Sequence, residues 1–266
     1  MSFRPRHRFR HLPVSPRYLV GTWPRAASSM QAVSFGSPCS RRDLEFICRW
    51  AGLDAGRRPC RPVPASALRR LVAAAARNCS GSTYHHAGHF AHVVMAAGLL
   101  ASCAGLRGEE RNLLILAALV HDLGHQGRRA SSRHYHQEGL SARHAGRVIA
   151  GCGGDGRLAL RIHSLLKATA LTNDASRSVI LTSDRLARFL TDADVFASVV
   201  YTRQRSIKLT GALKLEQRLA GPAAELSRRF TRMIGTAGMQ SALAQVMLET
   251  VLGSRHPTRN AIPMEP

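Results

Sequence analysis

Leu113-Leu114-Ile115-Leu116-Ala117-Ala118-Leu119-Val120 is an unbroken apolar run that passes directly into His121-Asp122-Leu123-Gly124-His125. Eight such residues without a turn signal read as a buried helix, and no polar face is left for solvent. A buried helix ending in His-Asp-x-x-His is unusual, because burying ionisable groups costs several kcal/mol unless something pairs them. A divalent cation does that well, and imidazole with carboxylate suits Zn²⁺, Mn²⁺ or Fe²⁺. Gly124 and Gly127 let the chain turn away after these residues.

A second histidine-rich stretch lies upstream, Tyr84-His85-His86-Ala87-Gly88-His89-Phe90-Ala91-His92-Val93. His85, His89 and His92 stand at i, i+4 and i+7, one face of a helix that the pattern opens near residue 86. Downstream, Thr191-Asp192-Ala193-Asp194-Val195 sits in another apolar helical run, so either Asp is a candidate for a further ligand. Further helices are expected over about 65–78, 86–104, 109–123, 134–151 and 156–171. One or two more follow over 174–203, and two over 211–252. No segment alternates as a strand does. The fold class is therefore all-α, a multi-helix bundle with a metal site between helices.

Three segments are expected: a basic, poorly ordered extension over 1–42, a helical domain over 43–253 and a tail over 254–266. Residues 1–30 carry arginines without an acid, and Met30 is an alternative start. The 266 residues suffice for one large domain. Aromatics are only 5%, so the core must come from Ala, Leu, Val and Ile, which favours helices. The net charge of +22 is almost all arginine and is dispersed, which reads as compositional bias more than as a nucleic-acid surface; nucleic acid stays a possible but disfavoured partner. Six cysteines without a CxxC pair, and no signal core or membrane-length run, point to free thiols in a reducing cytoplasm. The oligomeric state is not legible.

The order His89, His121-Asp122, Asp194 resembles the H…HD…D signature of the HD-domain superfamily of metal-dependent phosphohydrolases. Within it, the motifs resemble the class I cyclic nucleotide phosphodiesterases. Their Y-H-N-x-x-H-A-x-D-V is similar to residues 84–93, and their H-D-x-x-H-x-G to residues 121–127. Their A-T-D-M segment is similar to Leu171-Thr172-Asn173-Asp174, and their A-D-[LI] to Ala193-Asp194-Val195, which favours Asp194 over Asp192. The likeness covers roughly residues 80–200.

The resemblance implies that His89, His121, Asp122 and Asp194 hold a first metal, Zn²⁺, and that Asp122 also reaches a second, Mg²⁺ or Mn²⁺. A metal-activated hydroxide would then attack phosphorus while His85, as general acid, protonates the leaving oxygen. His125 matches a histidine near the second metal, and Asp174 a supporting acid. Three residues depart from the family pattern around the metals: His86 for Asn, His92 for Asp, and Ser141 for a Glu in the segment aligned with Leu140–His144. The nearest match to the family's purine clamp is Gln245 with Leu248.

His144 and His163 are further candidate ligands, set against ordinary helix histidines. Arg128 and Arg129 are candidate phosphate contacts, set against a solvated loop. The function expected is a metal-dependent phosphohydrolase cleaving a phosphodiester, with a 3',5'-cyclic nucleotide as one candidate substrate. The alternatives are a nucleotide phosphomonoesterase or triphosphohydrolase on the same scaffold, and a non-catalytic nucleic-acid or ligand-binding protein.

Overall fold

The computed structural model describes residues 12, 15–25, 27, 30, 39–53, 64–78, 83–125, 136–167, 169, 183–200 and 202–255. Among them are eleven helices and no strand: α1 (Pro16–Val20), α2 (Arg41–Trp50), α3 (Ala65–Arg77), α4 (Ala87–Cys103), α5 (Gly108–Val120), α6 (His136–Ala150), α7 (Gly156–Lys167), α8 (Arg185–Val200), α9 (Arg203–Gln217), α10 (Ala223–Ala237) and α11 (Ala242–Arg255). The all-α expectation is met.

α4 is the hub because its sequence is apolar on every side. All its residues from Ala87 to Ala101 are buried. It packs against α1, α2, α3, α5, α8 and α11. The α2 crossing depends on Gly98: a Cβ there would meet the Ala51 Cβ at 2.6 Å. α2 itself starts on a capping box, in which Ser40 Oγ accepts from the Asp43 amide and Asp43 accepts from the Ser40 amide.

A short connection joins α4 to α5, so the two run antiparallel and the end of α5 returns beside the start of α4. α8 packs on both. That three-helix contact brings residues more than a hundred positions apart to one place. α8 is started by Asp184, whose Oδ1 accepts from the amides of Leu186 (2.9 Å) and Ala187 (3.3 Å), while Arg161 on α7 ion-pairs with its Oδ2.

Burial alone would raise the Asp184 carboxyl, but Arg161 and the two amides outweigh it and hold it below the usual range. Its contribution is therefore present above the ordinary aspartate range and lost as pH falls through the depressed value. Asp184→Ala is expected to cost about 1–2 kcal/mol at pH 7. Urea melts at pH 7 and pH 3 should show a smaller gap at the lower pH; an equal gap at both would remove the charge from this account.

Three helices, not the expected two, follow residue 202. Arg218 takes a left-handed turn (φ 53°) and Pro222 opens α10, since proline cannot continue a preceding helix. Gly238 (φ +78°) separates α10 from α11. Packing also begins before residue 43, where a loose extension was expected. Leu19 and Met30 are buried, α1 lies on α4, and the Trp23 indole donates to the Met247 carbonyl at 3.0 Å. Burial pushes the Cys48 thiol up to about 12, so it packs as an apolar side chain. Among the described residues no helix is long and apolar enough to cross a membrane.

Candidate metal centre

The chain enters α4 through the loop 83–86. His86 is the N-cap, its Nδ1 accepting from the Gly88 amide at 3.0 Å, and His89 follows in the first turn. α5 ends at Val120 because the apolar run stops there, leaving His121 as C-cap and a turn over 121–124. Gly124, at φ +87°, takes a backbone that L side chains rarely adopt. The third contribution is Asp194, in the middle of α8.

These elements bring His89, His121, Asp122 and Asp194 together, with one donor atom from each all within 4.8 Å of one another. The two Nε2 atoms are 3.0 Å apart. Asp122 Oδ2 is 3.0 Å from His121 Nε2 and 3.3 Å from His89 Nε2, and Asp194 Oδ1 is 3.4 Å from both. Donors around a dication at about 2.0–2.2 Å stand roughly 3 Å or slightly more apart, so the set fits such an ion. The imidazole tautomer also fits. His121 Nδ1 faces the Ala118 carbonyl at 2.9 Å and must donate to it, which leaves Nε2 with its lone pair turned inward.

Electrostatics agree with this. Burial would push His121 and His89 down, yet Asp122 and Asp194 hold both above the usual imidazole range, His121 by the larger margin. Burial would raise the two carboxyls, yet the histidines hold both below their usual value. Charge is concentrated here in pairs that a cation can join.

His85 approaches from the loop, not from the helix face on which the i, i+4, i+7 spacing put it. Its Nε2 lies 3.6 Å from Asp122 Oδ2, and its Nδ1 bonds Glu216 on α9. Glu216 Oε2 also accepts from the amides of Tyr84 (2.7 Å) and His85 (3.1 Å), so one carboxylate fixes the loop and the ring. His125 stacks on His85 with centroids 3.7 Å apart, and its Nδ1 is 3.8 Å from Glu216 Oε1. Burial, with help from His85, keeps the His125 imidazole below its usual range against the pull of Asp122. His85, His125 and Glu216 thus form a second cluster able to hold a metal.

Two further residues were not anticipated. Asn78, at the end of α3, donates from Nδ2 to the Asp122 carbonyl at 3.2 Å and accepts the Gly124 amide on Oδ1. Glu138 on α6 is half-buried; burial and the charges of Asp122 and Asp194 raise its carboxyl, so it feels the centre. Glu138 lies one turn before Ser141, the residue standing where a glutamate was missed. Glu216 carried one readable signal: it is the only acid in α9.

The remaining candidates separate clearly. Asp192 is engaged away from the cluster: it accepts from the Gln240 amide (2.6 Å), the Ser241 amide (2.9 Å) and the Ser241 hydroxyl (2.5 Å), anchoring the start of α11. His92 is buried on α4 and belongs to neither metal-capable cluster. His163 is half-buried on α7, and His144 lines a cleft against α3; neither joins a cluster. Gln245 spends its amide on the Met239 amide (2.7 Å) and on Glu249 (2.8 Å), and Leu248 is core, so both have structural employment. Arg128, Arg129 and Asp174 lie outside the described residues.

A family model described as HD domain matches residues 89–198, a span that opens on His89 and includes His121, Asp122 and Asp194. No curated protein matches the chain. The matched span is also the span whose helices converge on the four-residue cluster, so over those residues the chain is similar to an HD domain.

Proposed function

We propose that this chain is a metal-dependent phosphohydrolase that cleaves a phosphodiester at the His89, His121, Asp122 and Asp194 cluster, with His85 as general acid. The superfamily is generally one of metal-dependent hydrolases, which supports the coarser half of that reading. One observation carries the finer half: an oriented imidazole stands at the rim of the metal-capable cluster. His85 turns Nε2 toward Asp122, and its Nδ1 is tied to Glu216.

A bound dication would lower the pKa of water and neutralise phosphoryl oxygens. The four residues would hold it, Zn²⁺ first by their donor types, and Asp122 would also contribute to holding a second ion, Mg²⁺ or Mn²⁺. Glu216 keeps Nδ1–H of His85 in place, so Nε2 is the nitrogen from which a proton passes to the leaving oxygen. The second cluster is read as proton-handling. Glu216 already accepts two backbone amides and the His85 ring, which leaves little of it for an ion. His125 packs the acid's ring from one face, and Asn78 holds the turn that aims Asp122. The reading stops at a phosphodiester, because Gln245 is engaged elsewhere and gives a purine no edge to meet.

The test is metal content by elemental analysis, with turnover of bis-p-nitrophenyl phosphate against p-nitrophenyl phosphate in added Mn²⁺. Retained metal with faster diester cleavage is expected. Metal-free, inactive protein would sink the hydrolase; cleavage of the monoester alone would turn the reading to a phosphomonoesterase.

Metal affinity should also depend on pH in a stated direction. In the metal-free protein the carboxylates keep protons on His121 and His89 above the ordinary imidazole range, and an incoming ion must displace them. Affinity is therefore expected to rise with pH, by about tenfold per unit for each proton displaced, and to keep rising above neutrality. Chelator competition with Zn²⁺ between pH 6 and pH 8.5 reads this; a plateau reached below neutrality would contradict it.

A further inference from the structure

α3 carries Arg69, Arg70 and Arg77 along one face, with Ala74 between them as a low floor. The steps of four and three from Arg70 through Ala74 to Arg77 follow one side of the helix, and the adjacent Arg69 borders the same cleft. Opposite stand Arg41 from α2 and His144 from α6, and together they line an open cleft of about 580 Å³. That volume is of the size that takes a nucleotide-sized molecule, roughly 300–1,000 Å³.

No carboxylate lines the cleft among the described residues. Arg41 is held by Glu45 at 3.0 Å, but Arg69, Arg70 and Arg77 have no acidic partner among the described residues. Arginines merely solvated on a convex surface need no concavity. Here small side chains open a floor and the guanidinium groups rim it, an arrangement that accepts phosphate oxygens through forked hydrogen bonds. The cleft shares no residue with either metal-capable cluster.

Both its walls end on the metal turn. Arg77 is followed by Asn78, which holds the Asp122 carbonyl and the Gly124 amide. From the other wall, His144 Nδ1 lies 3.6 Å from where a Cβ on Gly124 would be. We propose that this cleft between α2, α3 and α6 binds a small, multiply charged phosphate compound, and that its occupation is transmitted through Asn78 to the Asp122–Gly124 turn. The arginines gather over one cleft of about 580 Å³ and not along a stripe, which favours a small anion over an extended nucleic-acid backbone. The proposal needs neither metal nor hydrolysis.

The test is calorimetric titration of the full chain with inorganic tripolyphosphate in the presence of EDTA. Wild-type protein should bind, and the triple variant R69Q/R70Q/R77Q should lose about 30-fold or more in affinity, as expected for several charge-assisted hydrogen bonds. Ala74→Glu, which adds a carboxylate to the floor, should lose binding as well. R203Q/R228Q/R229Q, removing equal charge from exposed positions elsewhere, should bind as wild type, and so should Asp122→Ala. On binding, exchange of the Gly124 amide should slow in wild type but not in Asn78→Ala. Equal loss in both arginine triples would reduce the effect to general charge and overturn the site. Loss in Asp122→Ala with retention in R69Q/R70Q/R77Q would place the anion at the metal centre and overturn it too. A short oligonucleotide binding through the same three arginines, with no uptake of tripolyphosphate, would assign the cleft to nucleic acid instead. Binding that leaves Gly124 exchange unchanged would overturn the link to the turn.

Discussion

Asp122→Ala is expected to remove the metal and the hydrolytic activity together, with kcat/KM falling by more than about 10³, which is about 4 kcal/mol of transition-state stabilisation. The size follows from position. Asp122 Oδ2 is within 3.0–3.3 Å of the His89 and His121 imidazoles and 3.6 Å from His85 Nε2, so on the proposed reading one truncation would damage both the ion's cage and the surroundings of the acid. Asp194→Ala should lose metal in the same way.

Asp192 is the informative control, since it lies two residues away on the same helix. It carries no donor to the centre and instead receives three hydrogen bonds from Gln240 and Ser241. Asp192→Ala should keep its metal and lose about 2–3 kcal/mol of stability, because buried donors are left unpaired. Elemental analysis and urea melts in EDTA separate the two outcomes. A metal-free Asp192→Ala protein with wild-type stability would reverse the assignment of the two aspartates.

His85→Gln and Glu216→Gln should show an effect that depends on the leaving group. A diester with an alkoxide leaving group needs its oxygen protonated, and loss of the acid should cost about 10²–10⁴ in kcat. A p-nitrophenolate leaves unprotonated, so bis-p-nitrophenyl phosphate should be turned over nearly as in wild type. Glu216→Gln should follow the same pattern with a smaller loss, since the imidazole stays but loses its anionic partner. Metal content should be unchanged in both variants. Equal losses on both substrates, accompanied by loss of metal, would instead make His85, His125 and Glu216 an ion site.

These expectations depend on features of unequal legibility. The apolar run over 113–120 and the histidines at its end could be read as a buried helix carrying a polar site, because periodicity and burial cost act locally. His89 and Asp194 could be joined to them through motif order. Glu216 could not, although it is the lone acid of α9: it lies outside the matched span, and nothing near it in sequence says which histidine it meets. Asn78 was equally silent, since an Asn closing a helix is ordinary until its amide is seen on the Asp122–Gly124 turn. The loose N-terminal extension was read from composition, and composition does not register that Leu19, Trp23 and Met30 have apolar or hydrogen-bonding partners far along the chain.

The amino-acid sequence by itself determined that the chain is helical, where its most buried helices run and which four residues make up a cluster able to hold an ion, because these follow from short-range periodicity, motif order and residue types with few other uses when buried. Only the tertiary structure decided which aspartate of α8 joins the cluster, which carboxylate bonds His85, and that Asn78 at the end of α3 holds the Asp122–Gly124 turn. Those are contacts between segments up to 132 residues apart, and they exist only where α3, α4, α5, α8 and α9 close upon one another.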